Sequence, residues 1–232
     1  MKKKRELRYF NFPVQLLQGF LIDYKECLIN ICEYSIYAYS LKLEFGESEL
    51  VRFKSASKYY EVNFSSPKDS FNNGKIIFDS LPPKSPVTGL NVLIFNDYIN
   101  NKKSDFEIVT LLAFLAMKSI IGVKKYCKMT NNYWLSRMNG NAKTIKDISQ
   151  LDSEIRKYST EYQLKKIKGE LRLNWGLIVN GRNTRGYYVS FVLSMDQFEL
   201  IVLKKGKNYR EKEITRKQEE ARKKVLKYLN LN

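Results

Sequence analysis

The stretch from Leu177 to Phe191, LIVNGRNTRGYYVSF, constrains the fold more than any other part of the chain. Apolar residues flank a polar tip on both sides, and a glycine stands at each end of that tip. Glycine permits tight turn geometry, and Asn183 tolerates the positive φ angles that turns often require. The pattern predicts a β-hairpin whose tip carries Arg182 and Arg185, with no acidic residue nearby to pair with them.

Three apolar or amphipathic helices are predicted ahead of this hairpin. The first, FEIVTLLAFLAMKSIIG, has a cap at Asp105 and stops at Gly122. The second, NNYWLSRMNG, is short and has Thr130 as its cap. The third, TEYQLKKIKGELRLNWG, starts at a Ser159 or Thr160 cap and leads directly into the hairpin.

This order of helix, short helix, helix and hairpin resembles a winged helix, a helix-turn-helix variant with a β wing. The resemblance runs from about Asp105 to Leu203 and is to the winged-helix modules of regulators and of plasmid replication initiators. It implies that the third helix is the recognition helix and that GRNTRGYYVSF is the wing. The chain departs from the family pattern through an extra polar helix, predicted from Thr144 to Ser159 between the second and third helices.

The third helix divides into an apolar back and a polar front. Leu164, Ile167 and Leu171 recur at helical spacing and can dock on the core. The other faces carry the predicted nucleic-acid contacts, which are Tyr162, Gln163, Lys165, Lys166, Lys168 and Arg172. A helix in a groove needs this division, because cations meet phosphates and amides such as Gln163 read base edges.

The wing supplies the remaining contacts of that predicted interface. Arg182, Asn183 and Arg185 lie at its tip, where a planar guanidinium can grip a phosphate in two places. Tyr187 and Tyr188 are adjacent, so they face opposite sides of a strand and one of them is exposed for stacking on a base.

Charge points to a polyanionic partner. The chain has 41 basic and 24 acidic residues, a formal net charge of +17. Solubility of a small domain requires only a charge of magnitude ~2–8. The excess favours DNA or RNA, an anionic membrane surface, or a host protein or ribonucleoprotein whose channel is acidic or holds nucleic acid.

Composition argues against catalysis. The chain contains no histidine, which excludes histidine-dependent acid–base, nucleophilic and zinc chemistry. No phosphate-binding loop or dinucleotide fingerprint is present, so no cofactor is expected. Asp147, Asp152 and Glu154 could hold magnesium in a nuclease, but their place on a predicted charged helix is sufficient to explain them, and we expect no metal.

The cellular location is predicted from the cysteines and the apolar runs. Cys27, Cys32 and Cys127 are interpreted as reduced core residues, which suits a cytoplasmic protein. The most apolar run, Ile108–Gly122, is shorter than the ~20 residues that a bilayer requires, and Lys118 interrupts it. We therefore expect no membrane-spanning segment.

The predicted fold class is α+β, in three parts. Residues 1–100 form an N-terminal α+β domain with a long helix, or two short ones, over Phe12–Leu43 and a linker at Pro82–Gly89. Residues 101–203 form the winged-helix-like domain, and residues 204–232 form a basic helical tail. The sequence NNG at residues 72–74 is interpreted as a turn.

The basic tail adds two predicted contacts, Lys204 and Lys205, and its charge pattern favours an isolated helix. Val225, Leu226 and Leu229 near its end could anchor it to the body of the protein or to a second copy in a homodimer.

Two classes of function remain open. The first is a non-catalytic nucleic-acid-binding protein of a phage or mobile element, similar to a replication initiator or regulator. The second is an anti-CRISPR-type inhibitor that binds a host RNA-guided nuclease and interferes with its guide or target nucleic acid. Abundant lysine, asparagine and isoleucine, typical of AT-rich genomes, suit both classes.

Overall fold

The chain folds as a mixed α+β protein, as the sequence predicts. The structure, a computed structural model, describes residues 7–44, 48–181 and 186–229, without the side chains at 206, 209–213, 222 and 224–229. The strands are β1 (Tyr9–Pro13), β2 (Val87–Asn91), β3 (Cys127–Met129), β4 (Ile178–Asn180) and β5 (Tyr187–Ser190). The helices are α1 (Tyr24–Ser40), α2 (Glu49–Tyr60), α3 (Pro67–Ser80), α4 (Val92–Asn100), α5 (Asp105–Ile121), α6 (Asn131–Met138), α7 (Ser153–Arg156), α8 (Glu161–Asn174) and α9 (Met195–Leu229).

Strands β1 and β2 form an antiparallel pair in the N-terminal part. Phe10 and Phe12 alternate with polar residues in YFNFP, so both rings turn inward and are fully buried. Strand β2 occupies the end of the stretch predicted as a linker, Pro82–Gly89. The hydroxyl of Thr88 donates to the carbonyl of Leu115, 2.9 Å away, and this bond joins β2 to α5.

Helix α1 begins later than the sequence predicts. The expected helix over Phe12–Leu43 is wrong at its start, where the chain forms the end of β1 and a 3-10 turn at Val14–Leu17. The helix starts at Tyr24, because the carboxylate of Asp23 accepts the backbone N–H of Glu26 at 2.9 Å and caps it.

Helix α3 approaches α1 closely at Gly74. A Cβ added at Gly74 would lie 2.6 Å from the carbonyl oxygen of Glu33 and 3.1 Å from Cβ of Tyr37. The turn predicted at residues 72–74 is therefore wrong, since these residues lie inside α3. Glycine is required there because the helix meets backbone atoms of its neighbour, and a turn is not involved.

Helix α5 is buried on nearly every side and touches β2, β3, α6 and α8. Ser104 caps it in a capping box with Glu107, so the predicted cap at Asp105 is one residue late, while the stop at Gly122 is confirmed. In the part of the chain that the structure describes, no helix is both long and apolar enough to cross a bilayer.

The C-terminal part contains a three-stranded antiparallel sheet in the order β3-β5-β4. The β4–β5 hairpin is confirmed, whereas β3 is a strand that the sequence does not predict. Helix α6 starts at its predicted cap, Thr130, and its Trp134 is fully buried. The indole Nε1 of Trp134 donates to the carbonyl of Ala113 in α5 at 2.9 Å, which fixes α6 against that helix.

Apolar packing crosses the predicted domain boundary between residues 100 and 101. A single buried cluster contains Phe10 and Phe12 from one side of that boundary, and Trp134 and Leu164 from the other. The boundary itself stays a prediction, but the two parts share apolar contacts through α5.

The polar helix predicted from Thr144 to Ser159 is wrong. That segment contains a short 3-10 turn and the single turn of α7, joined by irregular backbone. Side chains of α6 hold it: Ser136 accepts the backbone N–H of Ile145 at 3.0 Å, and Asn139 accepts that of Asp152 at 2.9 Å. These tertiary hydrogen bonds replace the helical ones.

Helix α9 is 35 residues long, so it spans roughly 50 Å. It begins at Met195, ahead of the predicted tail at 204. Phe198 in its first turn is fully buried, while Leu200 and Leu203 are exposed. The described side chains from Lys204 onward are all exposed, so among the described side chains of α9 the buried one lies at its start. The predicted anchors Val225, Leu226 and Leu229 lie outside the described side chains.

Replacing Gly74 with alanine is expected to lower the free energy of unfolding by about 1–3 kcal/mol, because the methyl group meets the backbone of α1. Gly169 in α8 is the matched control, since a Cβ there has nothing within 4 Å. Its replacement should raise stability by about 0.5–1 kcal/mol, as expected for an open helical position. Urea unfolding measures the free energy of unfolding of both variants. Unchanged stability of Gly74→Ala would contradict the close approach of α1 and α3.

Truncation after Leu203 is expected to preserve a cooperative thermal transition, because the described side chains beyond it are exposed. Phe198→Ala should instead lower the free energy of unfolding by about 3–5 kcal/mol, since it empties a fully buried position. Calorimetry of the two variants separates the packed start of α9 from the rest. Loss of the cooperative transition in the truncated chain would show that the tail belongs to the core.

Candidate nucleic-acid interface

Positive charge is concentrated after residue 100. Residues 1–100 contain 13 basic and 11 acidic residues, whereas residues 101–232 contain 28 basic and 13 acidic residues. Two segments, Gly122–Lys146 and Leu171–Met195, contain no aspartate or glutamate at all. These segments include all three strands of the C-terminal sheet, so that sheet and its surroundings are the strongest candidates for contact with a polyanion.

Helix α8 has the apolar back and polar front that its sequence predicts. Thr160 caps it by accepting the backbone N–H of Gln163 at 3.3 Å. Leu164, Ile167 and Leu171 are at most 3% exposed and hold the helix on the body of the protein. The front is made of the exposed residues of the helix, which are Glu161, Tyr162, Lys165, Lys166, Arg172, Leu173 and Asn174. A rigidly docked helix with a cationic face can approach phosphates without rearrangement.

The cations on this front differ in their local partners. Lys165 forms an ion pair with Glu161 at 2.9 Å, with both side chains largely exposed. The amine of Lys166 lies 4.5 Å from the ring centroid of Phe106, in a cation–π contact that leaves the side chain exposed. Arg172 is exposed near the end of the helix, and Gln163 is partly buried near its start.

Lys168 lies beneath the front instead of on it. Its Nζ donates to Oδ1 of Asn131 at 2.8 Å, and it sits 3.8 Å from the ring centroid of Tyr187 and 5.6 Å from that of Trp134. Burial lowers the pKa of Lys168 to about 8. This lysine therefore links α8 to α6 and β5, and its phosphate contact stays a prediction.

The remaining predicted contacts are not gathered on α8. Arg182, Asn183 and Arg185 lie outside the described residues. Lys204 and Lys205 are exposed on α9, a separate element. The candidate interface is therefore built from the front of α8.

A second group of residues lies on the outer face of the C-terminal sheet, and of these the sequence analysis named only Tyr188, which is partly exposed while Tyr187 is buried. Lys128 on β3 stands opposite Tyr188 on β5, which in turn stands opposite Asn180 on β4. The alternation in YCKM, residues 126–129, is the signal that could have predicted β3, but three residues are too few to distinguish a strand from a loop.

A cleft of about 380 Å³ opens between α4, α5 and α8. Its walls include the carboxylates of Asp97, Glu107 and Glu170 and a single ammonium group, that of Lys103. Lys103 lies 2.6 Å from Asp97, and its hydrogen bond holds the pKa of that carboxyl below the usual value. Excess negative charge disfavours phosphate, so the cleft lies outside the candidate interface.

Among the residues that the structure describes, no group of three or more metal-ligating side chains is placed to hold a metal ion. Asp147 accepts the backbone N–H of Ser149 at 2.9 Å, and Glu154 forms an ion pair with Lys157 at 2.6 Å. Both acids, considered in the sequence as magnesium ligands beside Asp152, thus have local structural partners.

The three cysteines are free thiols. Burial raises the pKa of Cys27 and of Cys127 to about 11, and that of Cys32 above its usual value. A thiol with a raised pKa is a poor nucleophile at neutral pH, so these side chains are not placed for thiolate chemistry.

The buried amine of Lys168 makes stability depend on pH. Its pKa is about 8 in the folded protein and 10.5 in the reference state, so between these values the unfolded chain binds more protons and rising pH favours folding. We expect the stability of the wild type, relative to Lys168→Met, to rise by about 1 kcal/mol or more between about pH 7 and pH 9.5. Urea unfolding of both proteins at the two pH values measures this difference. A difference that is independent of pH would contradict the burial of the amine.

Comparisons of the chain with models of known protein families, with curated proteins and with solved structures find no match. A function is therefore inferred from its own residues and their geometry.

Proposed function

We propose that this chain is a non-catalytic nucleic-acid-binding protein in which residues 101–203 form a winged-helix module and α8 is the recognition helix. The element order supports the proposal, since α5, β3, α6, α8, β4 and β5 follow one another as helix, strand, helix, helix and hairpin, interrupted by α7. Strand β3 joins the β4–β5 hairpin in one sheet, so the hairpin and the helices belong to one packed unit.

The observation that carries the proposal is the division of α8. Three leucine and isoleucine side chains anchor its back, while its front exposes Tyr162, Lys165, Lys166 and Arg172. Cations on a docked helix neutralise phosphates along a duplex and release condensed counterions, which supplies most of the affinity for DNA or RNA. The front carries one carboxylate, that of Glu161, which forms an ion pair with Lys165, and the acidic cleft adjoins α8 along Glu170 and Asn174.

Lys168 has an indirect role in this proposal. Its contacts with Asn131, Trp134 and Tyr187 tie the recognition helix to the start of α6 and to the wing strand β5. The helix front and the hairpin then present their charges from one rigid support. Arg182 and Arg185, which follow β4 in the sequence, remain predicted phosphate contacts of the wing.

A module of this kind holds a duplex, which is the task of a replication initiator or a transcription regulator. We propose that general class of function for the chain, in a phage or mobile element. The alternative, inhibition of a host RNA-guided nuclease, predicts that the same basic surface engages a protein or ribonucleoprotein in preference to free nucleic acid.

The test removes two charges from the front of α8. We expect Lys165→Gln with Arg172→Gln to weaken binding to a labelled duplex roughly tenfold or more, since two charge-assisted contacts are lost. The slope of the logarithm of the binding constant against the logarithm of the salt concentration should also become shallower by about two. Each phosphate contact contributes ~0.9 to that slope on duplex DNA. Fluorescence anisotropy between roughly 50 and 200 mM salt measures both quantities.

The matched control is Lys54→Gln with Lys58→Gln, which removes two exposed charges from α2. This pair changes net charge equally but lies in the part of the chain where acids and bases nearly balance. We expect it to bind almost as the wild type does. An equal loss of affinity in both variants would show that binding depends on net charge alone and not on the front of α8. Absence of wild-type binding to any nucleic acid at low salt would overturn the proposed function.

A further inference from the structure

The outer face of the C-terminal sheet carries a row of side chains that the recognition helix does not use. The strand register aligns Lys128, Tyr188 and Asn180 across β3, β5 and β4. On the opposite face of the same sheet, Met129, Tyr187 and Val189 are buried. Because successive side chains of a strand alternate between faces, the aligned row points away from the core.

Tyr126 extends this row into an aromatic pair. It stands two residues before Lys128, and its ring centroid lies 6.3 Å from that of Tyr188. The amine of Lys128 lies 5.8 Å from the ring centroid of Tyr188. We call Tyr126, Lys128, Asn180 and Tyr188 the sheet platform; Lys128 is exposed and the other three are partly exposed.

Charge around the sheet platform selects its partner. Lys124 and Lys125 are exposed directly before Tyr126, and all three strands lie in the two segments that contain no acidic residue. Two aromatic rings, a lysine and an amide provide surfaces for stacking, for phosphate neutralisation and for hydrogen bonds to a base edge. A tyrosine ring can stack on a base only if that base is not already stacked between adjacent bases. A single strand offers such bases and an intact duplex does not.

We propose that the sheet platform binds unpaired bases of single-stranded nucleic acid, with Tyr188 as the stacking residue, Lys128 at the phosphates and Asn180 at a base edge. This inference rests on the proposed function and adds a second binding mode beside the duplex contact of α8. The protein can then hold a duplex and an adjacent unpaired strand at the same time, through two different surfaces of one module.

The experiment compares Tyr188→Ala and Tyr188→Phe on three probes: a duplex, an oligothymidylate of about 16 nucleotides and an abasic strand of the same length. Loss of one stacked base is expected to weaken binding of Tyr188→Ala to oligothymidylate by about 5-fold to 100-fold. Its binding to the duplex and to the abasic strand should stay within about twofold of the wild type. Tyr188→Phe keeps the ring and should bind all three probes as the wild type does.

Tyr188→Leu, which keeps apolar bulk but cannot stack, replaces the alanine variant if that variant melts early. An equal loss on oligothymidylate and on the abasic strand, or no loss on either, would overturn the stacking role of Tyr188. In both cases duplex binding that still depends on Lys165 and Arg172 would leave the proposed function intact. Failure of the wild type to bind any of the three probes would overturn both. Repeating the series with oligouridylate separates DNA from RNA, and a Tyr188-dependent effect on either strand supports the proposal.

Discussion

The structure depends on the burial of one helix, α5. Ten of its residues are buried, and its backbone carbonyls also accept tertiary hydrogen bonds: Leu115 from Thr88 of β2 and Ala113 from Trp134 of α6. A helix carbonyl has a second lone pair beyond its intrahelical bond, so it can satisfy a buried donor from a neighbouring element. The N-terminal sheet and helix α6 are thereby both joined to the same helix.

This arrangement sets the surface available for binding. Helix α8 also packs on α5 through Leu164, Ile167 and Leu171, so its orientation follows from that of the central helix. Burying the back of α8 leaves its cations at the surface, where water lowers the cost of placing like charges close together. Lys168, the cation of α8 that is partly buried, contacts aromatic rings and an amide, and desolvation lowers its pKa.

The distribution of acidic residues gives the two faces of this region different chemistry. Asp97, Glu107 and Glu170 line the cleft between α4, α5 and α8, while the segments that build the C-terminal sheet have no carboxylates. In the proposed function, a phosphate backbone would therefore approach the cations of α8 and the C-terminal sheet and avoid the cleft. The helix front and the sheet platform offer different chemistry for the same class of ligand, cations for phosphates on α8 and aromatic faces for bases on the strands.

Local signals in the sequence determined several elements by themselves. Thr130 and Thr160 cap α6 and α8 because a hydroxyl beside a helix start needs only its own backbone neighbours. Glycines and alternating apolar residues likewise determined the β4–β5 hairpin.

Only the tertiary structure decided the features that depend on distant partners. The local sequence around Gly74 predicts a turn, but Gly74 lies inside α3 where that helix packs against the backbone of α1. Residues 144–159 have helical composition, yet hydrogen bonds from Ser136 and Asn139 hold most of that segment in other conformations. Lys168 does not differ from the other lysines of α8 in the sequence, and its contacts with Asn131 and Tyr187 are visible only in the fold. Strand β3 likewise depends on pairing with β5. Capping and turn geometry are short-range, so the sequence alone determines them, whereas burial, register and helix packing arise from residues that only the fold brings together.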